Sequence, residues 1–191
     1  MLDLSGTTYH ARRKFFALAG QVFIYDQYNN LVCYVRQKLL KLKEDITAFT
    51  DESQTIPILN IRARKIIDFA AAYDIVDSTT GEKVGAVKRK GMRSIIKDEW
   101  IIMDSGDNVI ASVREESGLM AILSRIINLV PQKYVIEIVN SGKVVGRINQ
   151  IFDFFIHKFD IDFSMDHDGL LDRRLGLGAT ILLLLIERRQ H

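Results

Sequence analysis

One pattern of apolar and polar positions recurs five times along the chain. Each copy has two runs of β-branched and aromatic residues around a polar tip, and its second run ends in basic side chains. Such alternation is typical of a β-hairpin. Their spacing is irregular, so we expect a meander of hairpins rather than a solenoid. The copies lie at 23–38, 46–65, 73–90, 100–116 and 134–150 and predict about ten strands, with Tyr25, Val35, Ile61, Val87, Ile102 and Ile110 among the strand residues.

Two further segments have an apolar pattern of their own. "NQIFDFFIHKFDIDFS" (149–164) is largely apolar on both faces and predicts one long or two short strands. We interpret His157 within it as a core or edge histidine rather than a metal ligand. "GLMAILSRIINLV" (118–130) has apolar residues at helical spacing after Ser117, a plausible cap, and predicts an amphipathic surface helix.

The chain ends in "DRRLGLGATILLLLIERRQH", from Asp172 to His191, which predicts a buried helix. Its 12 uncharged residues, 175–186, would span only about 18 Å as a helix, whereas a bilayer core is about 30 Å thick. A transmembrane role is therefore disfavoured. A helix that is apolar all round must be surrounded by protein, and Gly176 and Gly178 indicate close packing. A barrel of ten to twelve strands is wide enough to hold it. We therefore expect a mainly β fold, a closed antiparallel barrel around this helix.

Composition fits a single domain over residues 1–191. Hydrophobic residues make up 48% of the chain, and 26 basic against 24 acidic residues give a net charge of +2. No overall field therefore favours nucleic acid. Cys33 is the single cysteine, which excludes an intrachain disulfide framework, and we expect it to be buried. The N-terminus lacks the apolar run of a secretory signal. We expect a cytoplasmic protein, peripheral at a membrane if it binds lipid.

Catalytic and metal-binding signatures are missing from the sequence. It contains no nucleophile elbow, P-loop, dinucleotide-binding loop or HExxH motif, and its histidines are scattered. We therefore expect neither an enzyme nor a cofactor. The acidic stretch "DIDFSMDHDGLLD" leaves two interpretations, a weak site for a hard cation or a solvated loop that caps the final helix. We favour the cap, because Met165 stands where a calcium loop needs glycine.

The basic strand ends carry the candidate binding site. The second strands of successive hairpins in a meander run the same way, so their ends meet at one rim. Anionic lipid head groups or another phosphorylated ligand would bind there, with "KRKGMRS" adding Gly91 and a backbone able to approach phosphate. The alternative interpretation is that these are solvated residues that protect strand edges. The candidate residues are Arg36, Lys38, Arg62, Arg64, Lys88, Arg89, Lys90 and Arg93, with Arg114 on the next hairpin.

Four segments resemble the LURP-one-related proteins, which group with tubby C-terminal domains and phospholipid scramblases. They are "YDQYNNLVCYVRQK", "LNIRARK", "VGAVKRKG" and "DRRLGLGATILLLLIE", and the resemblance spans roughly Phe23 to Glu187. It implies a twelve-stranded barrel around a hydrophobic C-terminal helix. The tubby branch binds phosphoinositides through basic side chains and the scramblase branch is associated with lipid movement. The proline-rich leader and cysteine cluster of scramblases are missing here.

Two functions remain open at the level of sequence. The first is a non-catalytic module that recognises an anionic head group or other phosphorylated ligand at the basic rim. The second is a cytoplasmic scaffold or regulator that acts through protein–protein contacts.

Overall fold

The computed structural model describes residues 4, 6–14, 19–38, 45–64, 72–90, 99–116, 131–153 and 156–186. Within these ranges twelve antiparallel strands follow one another around a closed barrel, and β1 pairs with β12 to complete it. The strands are β1 (Thr8–Lys14), β2 (Ala19–Asp26), β3 (Leu31–Lys38), β4 (Ile46–Phe49), β5 (Pro57–Ala63), β6 (Ala72–Asp77), β7 (Lys83–Arg89), β8 (Glu99–Asp104), β9 (Val109–Glu115), β10 (Lys133–Ile138), β11 (Val144–Ile151) and β12 (Ile156–Asp162).

One helix, α1 (Arg173–Ile186), fills the barrel. The four consecutive leucines Leu182–Leu185 are each no more than 3% exposed, although they cover more than one full turn. Burying them contributes about 6–12 kcal/mol by transfer free energy, which is comparable to the net stability of a whole domain, about 5–15 kcal/mol. Among the described residues no helix is both long and apolar enough to cross a bilayer. The predicted barrel around a buried helix is confirmed.

Two glycines let the helix approach its neighbours closely. A Cβ added to Gly176 would lie 2.7 Å from Cζ of Phe163, and one added to Gly178 would lie 2.8 Å from Cδ1 of Ile75. Both separations are shorter than a carbon–carbon contact of about 3.5–4.0 Å. The close packing predicted at these glycines is therefore present.

Carboxylates surround the start of α1. The Asp172 carboxylate accepts a hydrogen bond from the Arg174 backbone N–H at 2.9 Å, as an N-cap does. The side chain of Asp166 is fully buried and accepts from the backbone N–H groups of Leu170 and Leu171. It also accepts from Arg173 at 2.9 Å. The interpretation of the acidic stretch as a helix cap therefore holds for Asp172, whereas Asp166 is buried rather than solvated and bonds the loop that precedes the helix.

An ion pair at one end of α1 and a hydrogen bond at the other also fix the helix to the barrel wall. Arg174 donates to Asp77 of β6 at 2.8 Å and to Asp172 at 2.7 Å. Burial alone would raise the pKa of Asp77, but the hydrogen bond from Arg174 and two backbone N–H groups lower it below its usual value. At the other end, Arg13 of β1 donates to the Leu184 carbonyl, one of the carbonyls that a helix leaves unpaired.

The two ends of the barrel are distinguished by the direction in which the strands run. The turns of the five predicted hairpins and the start of α1 lie at what we call the turn end. The odd-numbered strands finish at the opposite end, which we call the basic end. Five aspartates open loops at the turn end, each accepting a hydrogen bond from the backbone N–H two residues later. They are Asp26, Asp51, Asp77, Asp104 and Asp162.

The five predicted hairpins are confirmed as β2–β3, β4–β5, β6–β7, β8–β9 and β10–β11. Strand β1, which pairs with both β2 and β12, was not predicted. Segment 149–164 contains the last three residues of β11, which ends at Ile151, and adds one further strand, β12, which begins at Ile156. His157 is 7% exposed within β12. The helix predicted over 118–130 lies outside the described residues.

We predict that Leu183→Asp unfolds the protein. Leu183 is 3% exposed inside the barrel, where an unpaired carboxylate is strongly disfavoured, so the loss should exceed about 4 kcal/mol. The matched control is Leu170→Asp, since Leu170 is 44% exposed and should tolerate the charge. Thermal melts and solubility measure both. A cooperative melt of Leu183→Asp near the wild-type temperature would show that the helix does not depend on this burial.

We also predict that Gly176→Ala destabilises the protein by about 1–2 kcal/mol. Alanine favours the helix by about 1 kcal/mol, but the methyl group would lie within 3 Å of two carbons of the buried Phe163 ring. Overpacking this close costs about 2–3 kcal/mol, the upper part of the usual range. Gly106→Ala in the exposed β8–β9 turn is the control, expected within about 0.5 kcal/mol of wild type. Denaturant unfolding gives both values. A Gly176→Ala protein as stable as wild type would contradict the close contact.

Candidate functional site

Three of the candidate basic residues are exposed on successive odd-numbered strands, which all run in the same direction. Arg36 lies on β3, Arg62 on β5 and Lys88 on β7, each near the basic end. They follow one another at intervals of 26 residues in the chain. Among the described residues, no carboxylate is within ion-pair distance of any of the three. We refer to Arg36, Arg62 and Lys88 as the unpaired trio.

Arg64, by contrast, belongs to a network of ion pairs on the outer wall. It donates to Asp74 at 2.6 Å and to Asp107 at 2.6 Å. Lys83 donates to Asp107 at 2.7 Å. Hydrogen bonds from Arg64 and then from Lys83 lower the pKa of Asp107 to about 2, so the carboxylate stays ionised at neutral pH. Arg64 is therefore neutralised in a way that the unpaired trio is not.

The other candidates differ in exposure and partner. Lys90 is exposed and pairs with Glu99 at 2.9 Å. Arg114 is exposed and donates through Nε to Glu137 at 3.1 Å. Arg89 is half-buried beside inward-facing Tyr73. Burial raises the pKa of Tyr73, and the positive charge of Arg89 opposes that rise. These residues share the basic end but are not equivalent to the unpaired trio.

For two candidates, the structure does not describe the side chain. Lys38 ends β3, which places its backbone at the basic end, but its side chain is outside the described part. Arg93 lies outside the described residues altogether, together with Gly91. Their predicted roles stay predictions.

Strand β1 adds basic residues that the sequence analysis missed. Arg12 is exposed, and its guanidinium lies 4.8 Å from the centre of the Tyr25 ring. Lys14 is also exposed, with its ammonium 4.8 Å from the centre of the Phe23 ring. Such cation–π contacts hold the cations while leaving their charge uncompensated by a carboxylate. The run "HARRK" was the available signal, but a strand that precedes the first hairpin has no turn of its own to reveal it.

Groups suited to a metal or a nucleophile occupy structural positions in the described part of the chain. No cluster of three or more His, Cys, Asp or Glu suited to hold a metal occurs among those residues. In the acidic stretch, Asp160 bonds His10 at 2.7 Å and Asp168 pairs with Lys143. Cys33 is buried as predicted, and burial raises the pKa of its thiol to about 12. The arrangement can attract anions at the basic end.

Comparison with known proteins gives one match. The model of the LURP-one-related family matches residues 31–172 of this chain. That range runs from the start of β3 to the residue before α1 and includes the whole unpaired trio. Searches of the curated proteins and of the solved structures found no match.

We predict that Arg64→Gln raises the pKa of Asp107 from about 2 towards the ordinary aspartate value of about 3.9. Because the pKa of Asp107 is depressed in the folded protein, its ionised carboxylate stabilises the fold fully above the ordinary aspartate pKa of about 3.9. This stabilisation is lost as the pH falls through the pKa in the folded protein, about 2. The variant should therefore lose less stability than wild type between pH 4 and 2. Carboxyl NMR titration measures the shift, with Arg62→Gln as the control that leaves Asp107 unchanged. An unshifted Asp107 in Arg64→Gln would refute the network.

Proposed function

Since this chain belongs to the LURP-one-related family, we propose that it is a non-catalytic binding module whose basic end recognises a phosphorylated anionic ligand, lipid head groups among them. The observation that carries the proposal is the unpaired trio. Each member is an exposed cation, and each stands on a strand of the same direction. An anion that binds there displaces no carboxylate.

Closure of the barrel weakens the alternative interpretation of these cations. Basic residues protect exposed strand edges from pairing with other chains. Here β1 pairs with β12, so the sheet has no edge strand. Edge protection therefore gives no reason for Arg36, Arg62 and Lys88 to be basic. Attraction of an anion does give a reason for these three residues to be basic.

The absence of catalysis is part of the proposal. A cysteine nucleophile needs its thiolate form, and the Cys33 thiol, with a pKa of about 12, is protonated at neutral pH. The buried carboxylate of Asp166 is engaged by two backbone N–H groups and by Arg173. Neither group is available for nucleophilic or acid–base chemistry. Turnover of a substrate by the purified protein would contradict this part.

Protein contacts are a second candidate function, and the turn end favours them. Tyr28 is 77% exposed, Ile56 57% and Val139 52%, and all three lie in turns. Exposed apolar side chains on loops are common at protein interfaces. This candidate uses the opposite end of the barrel, so variants of the two ends separate the functions. Loss of a partner on Tyr28→Ser, with anion binding unchanged, would support it.

We predict that the double variant Arg62→Gln/Lys88→Gln binds anions about 30-fold more weakly. Two basic residues near an anionic surface contribute about 1 kcal/mol each, and each 1.4 kcal/mol is a factor of ten. Co-sedimentation with phosphatidylserine vesicles and titration with inositol hexakisphosphate measure the loss. Raising the salt concentration should weaken wild-type binding in the same manner, because salt screens exposed charges.

The matched control is Lys83→Gln/Lys143→Gln, which removes the same charge from the turn end. Both lysines are partly exposed and paired with carboxylates, so their loss should change binding less than threefold. Equal losses in the two double variants would mean that net charge, not the basic end, controls binding. Wild-type protein that binds neither probe at low salt would overturn the proposal.

A further inference from the structure

The hydrogen-bond registers place the unpaired trio on a level ring that continues around the wall. Arg12 of β1 is opposite Phe23, Phe23 is opposite Tyr34, and Arg36 lies two residues beyond Tyr34 on β3. The β3–β4 register Tyr34↔Phe49 and Val35↔Ala48, continued by one residue, places Arg36 opposite Thr47, and the pair Thr47↔Asn60 then leads to Arg62, two residues beyond Asn60. The same step, across two strands and then two residues along the chain, leads from Arg62 on β5 to Lys88 on β7. The pairs used are Arg62↔Asp74 and Asp74↔Ala86.

The step repeats until the ring closes. It leads from Lys88 to Arg114, through the pairs Lys88↔Ile101 and Ile101↔Ser112. From Arg114 it leads to Asn149, and from Asn149 back to Arg12. We call these positions the rim ring. Its members are Arg12, Arg36, Arg62, Lys88, Arg114 and Asn149.

The ring is level because the step matches the tilt of the strands. Two strands span about 9.6 Å and two residues rise about 6.7 Å. The line between ring members therefore deviates by about 35° from the perpendicular to the strands. Strands in closed barrels tilt by about 35–45° from the barrel axis. The Cα atoms of the ring thus lie roughly in one plane perpendicular to that axis. Its five basic members are all exposed, although the Arg114 guanidinium is paired with Glu137 and the Arg12 guanidinium donates to Asn29 of the β2–β3 turn at 3.4 Å.

Charge is unevenly distributed along the same axis, although the basic end also carries the acidic residues Asp45, Glu99, Glu115, Glu116 and Asp153. The turns and the loop before α1 carry a concentration of acidic residues. These are Asp26, Asp51, Glu52, Asp77, Glu82, Asp104, Asp107, Asp162, Asp166, Asp168 and Asp172. The basic residues described beside them are paired with carboxylates, namely Lys83, Lys143, Arg173 and Arg174. The turn end is therefore repelled by an anionic surface that attracts the basic end.

From the level ring and the uneven axial charge distribution we infer that the protein docks end-on on an anionic bilayer, with the barrel axis along the membrane normal. This rests on the proposed function and names its partner. A plane perpendicular to the axis lies at the same distance from the Cα atoms of every member of a level ring, so it attracts all of them together. A small phosphorylated molecule meets one or two members, because neighbours are about 12 Å apart along the ring. Recognition then depends on the charge density of the bilayer rather than on one head group.

Asn149 offers a gain of binding as the first test. It is the only ring position without a basic residue, and Asn149→Lys completes the ring. Binding to vesicles with 30% phosphatidylserine should rise about fivefold, the equivalent of about 1 kcal/mol. The control Val139→Lys adds the same charge to the same β10–β11 hairpin at the turn end, where Val139 is 52% exposed. It should not raise binding. Equal gains in both variants would overturn the inference.

The orientation of the barrel on the bilayer is tested separately, with dyes attached at the turn end. This test does not use Asn149→Lys and so does not depend on the stability of that variant. Cys33 is buried and therefore inaccessible to thiol dyes, so a cysteine introduced at an exposed site is labelled selectively. The sites Tyr28, Thr80 and Ser141 are exposed and lie in turns separated by four strands, about a third of the barrel apart. Docking end-on predicts the same low energy transfer from all three dyes to an acceptor in the lipid. A dye at Lys133, exposed at the basic end, should give higher transfer.

Each outcome decides between the inference and the function on which it rests. Unequal transfer from the three turn-end dyes means that the barrel lies on its side, and overturns the inference. Binding to inositol hexakisphosphate without binding to phosphatidylserine vesicles overturns the inference and leaves the proposed function standing. Preference for duplex DNA over those vesicles replaces the bilayer with a different partner. Binding to neither the soluble probe nor the vesicles overturns both.

Discussion

The structure depends on enclosing a helix that is apolar on every side. Leu182–Leu185 cover more than one turn and are all buried, which no arrangement with a solvent-facing side provides. A closed sheet of twelve strands supplies that enclosure. The dependence is mutual, because a barrel wider than about eight strands has an interior that its own side chains do not fill. Gly176 and Gly178 allow the helix to fit against Phe163 and Ile75.

The direction in which the helix enters determines where charge is placed. Arg173 and Arg174 precede the apolar run, at the positive end of the helix dipole, where cations are disfavoured. Asp166, Asp77 and Asp172 compensate them. The aspartates that open the loops add to the same end, for the separate reason that they satisfy backbone N–H groups. The turn end is therefore acidic for reasons of folding.

No comparable structural role accounts for the unpaired trio at the opposite end. Closure of the sheet leaves no strand edge for these cations to protect, and some other cations on the barrel wall, such as Arg64 and Lys83, are held in ion pairs. Exposed ion pairs contribute little to stability, so leaving three cations unpaired costs the fold little. The barrel thus holds them at fixed spacing on a rigid wall, and their charge remains available to an anion.

Much of the fold could be predicted from the sequence, because its determinants are local. Alternation of apolar residues around polar tips predicted five hairpins, and the uncharged run 175–186 predicted a buried helix, since a helix without a polar face must be enclosed. Strand β1 was missed because it precedes the hairpins and its alternation is short. The candidate basic residues were found by their place at strand ends, but their differences were not. Arg62 of β5 and Arg64, which directly follows that strand, are two residues apart, yet only Arg64 reaches Asp107, which is distant in sequence. Such pairing, and the level ring that joins Arg12 to Arg114, depends on the register between strands. Register is a property of the closed sheet, so only the tertiary structure decided which cations are paired and which face solvent together.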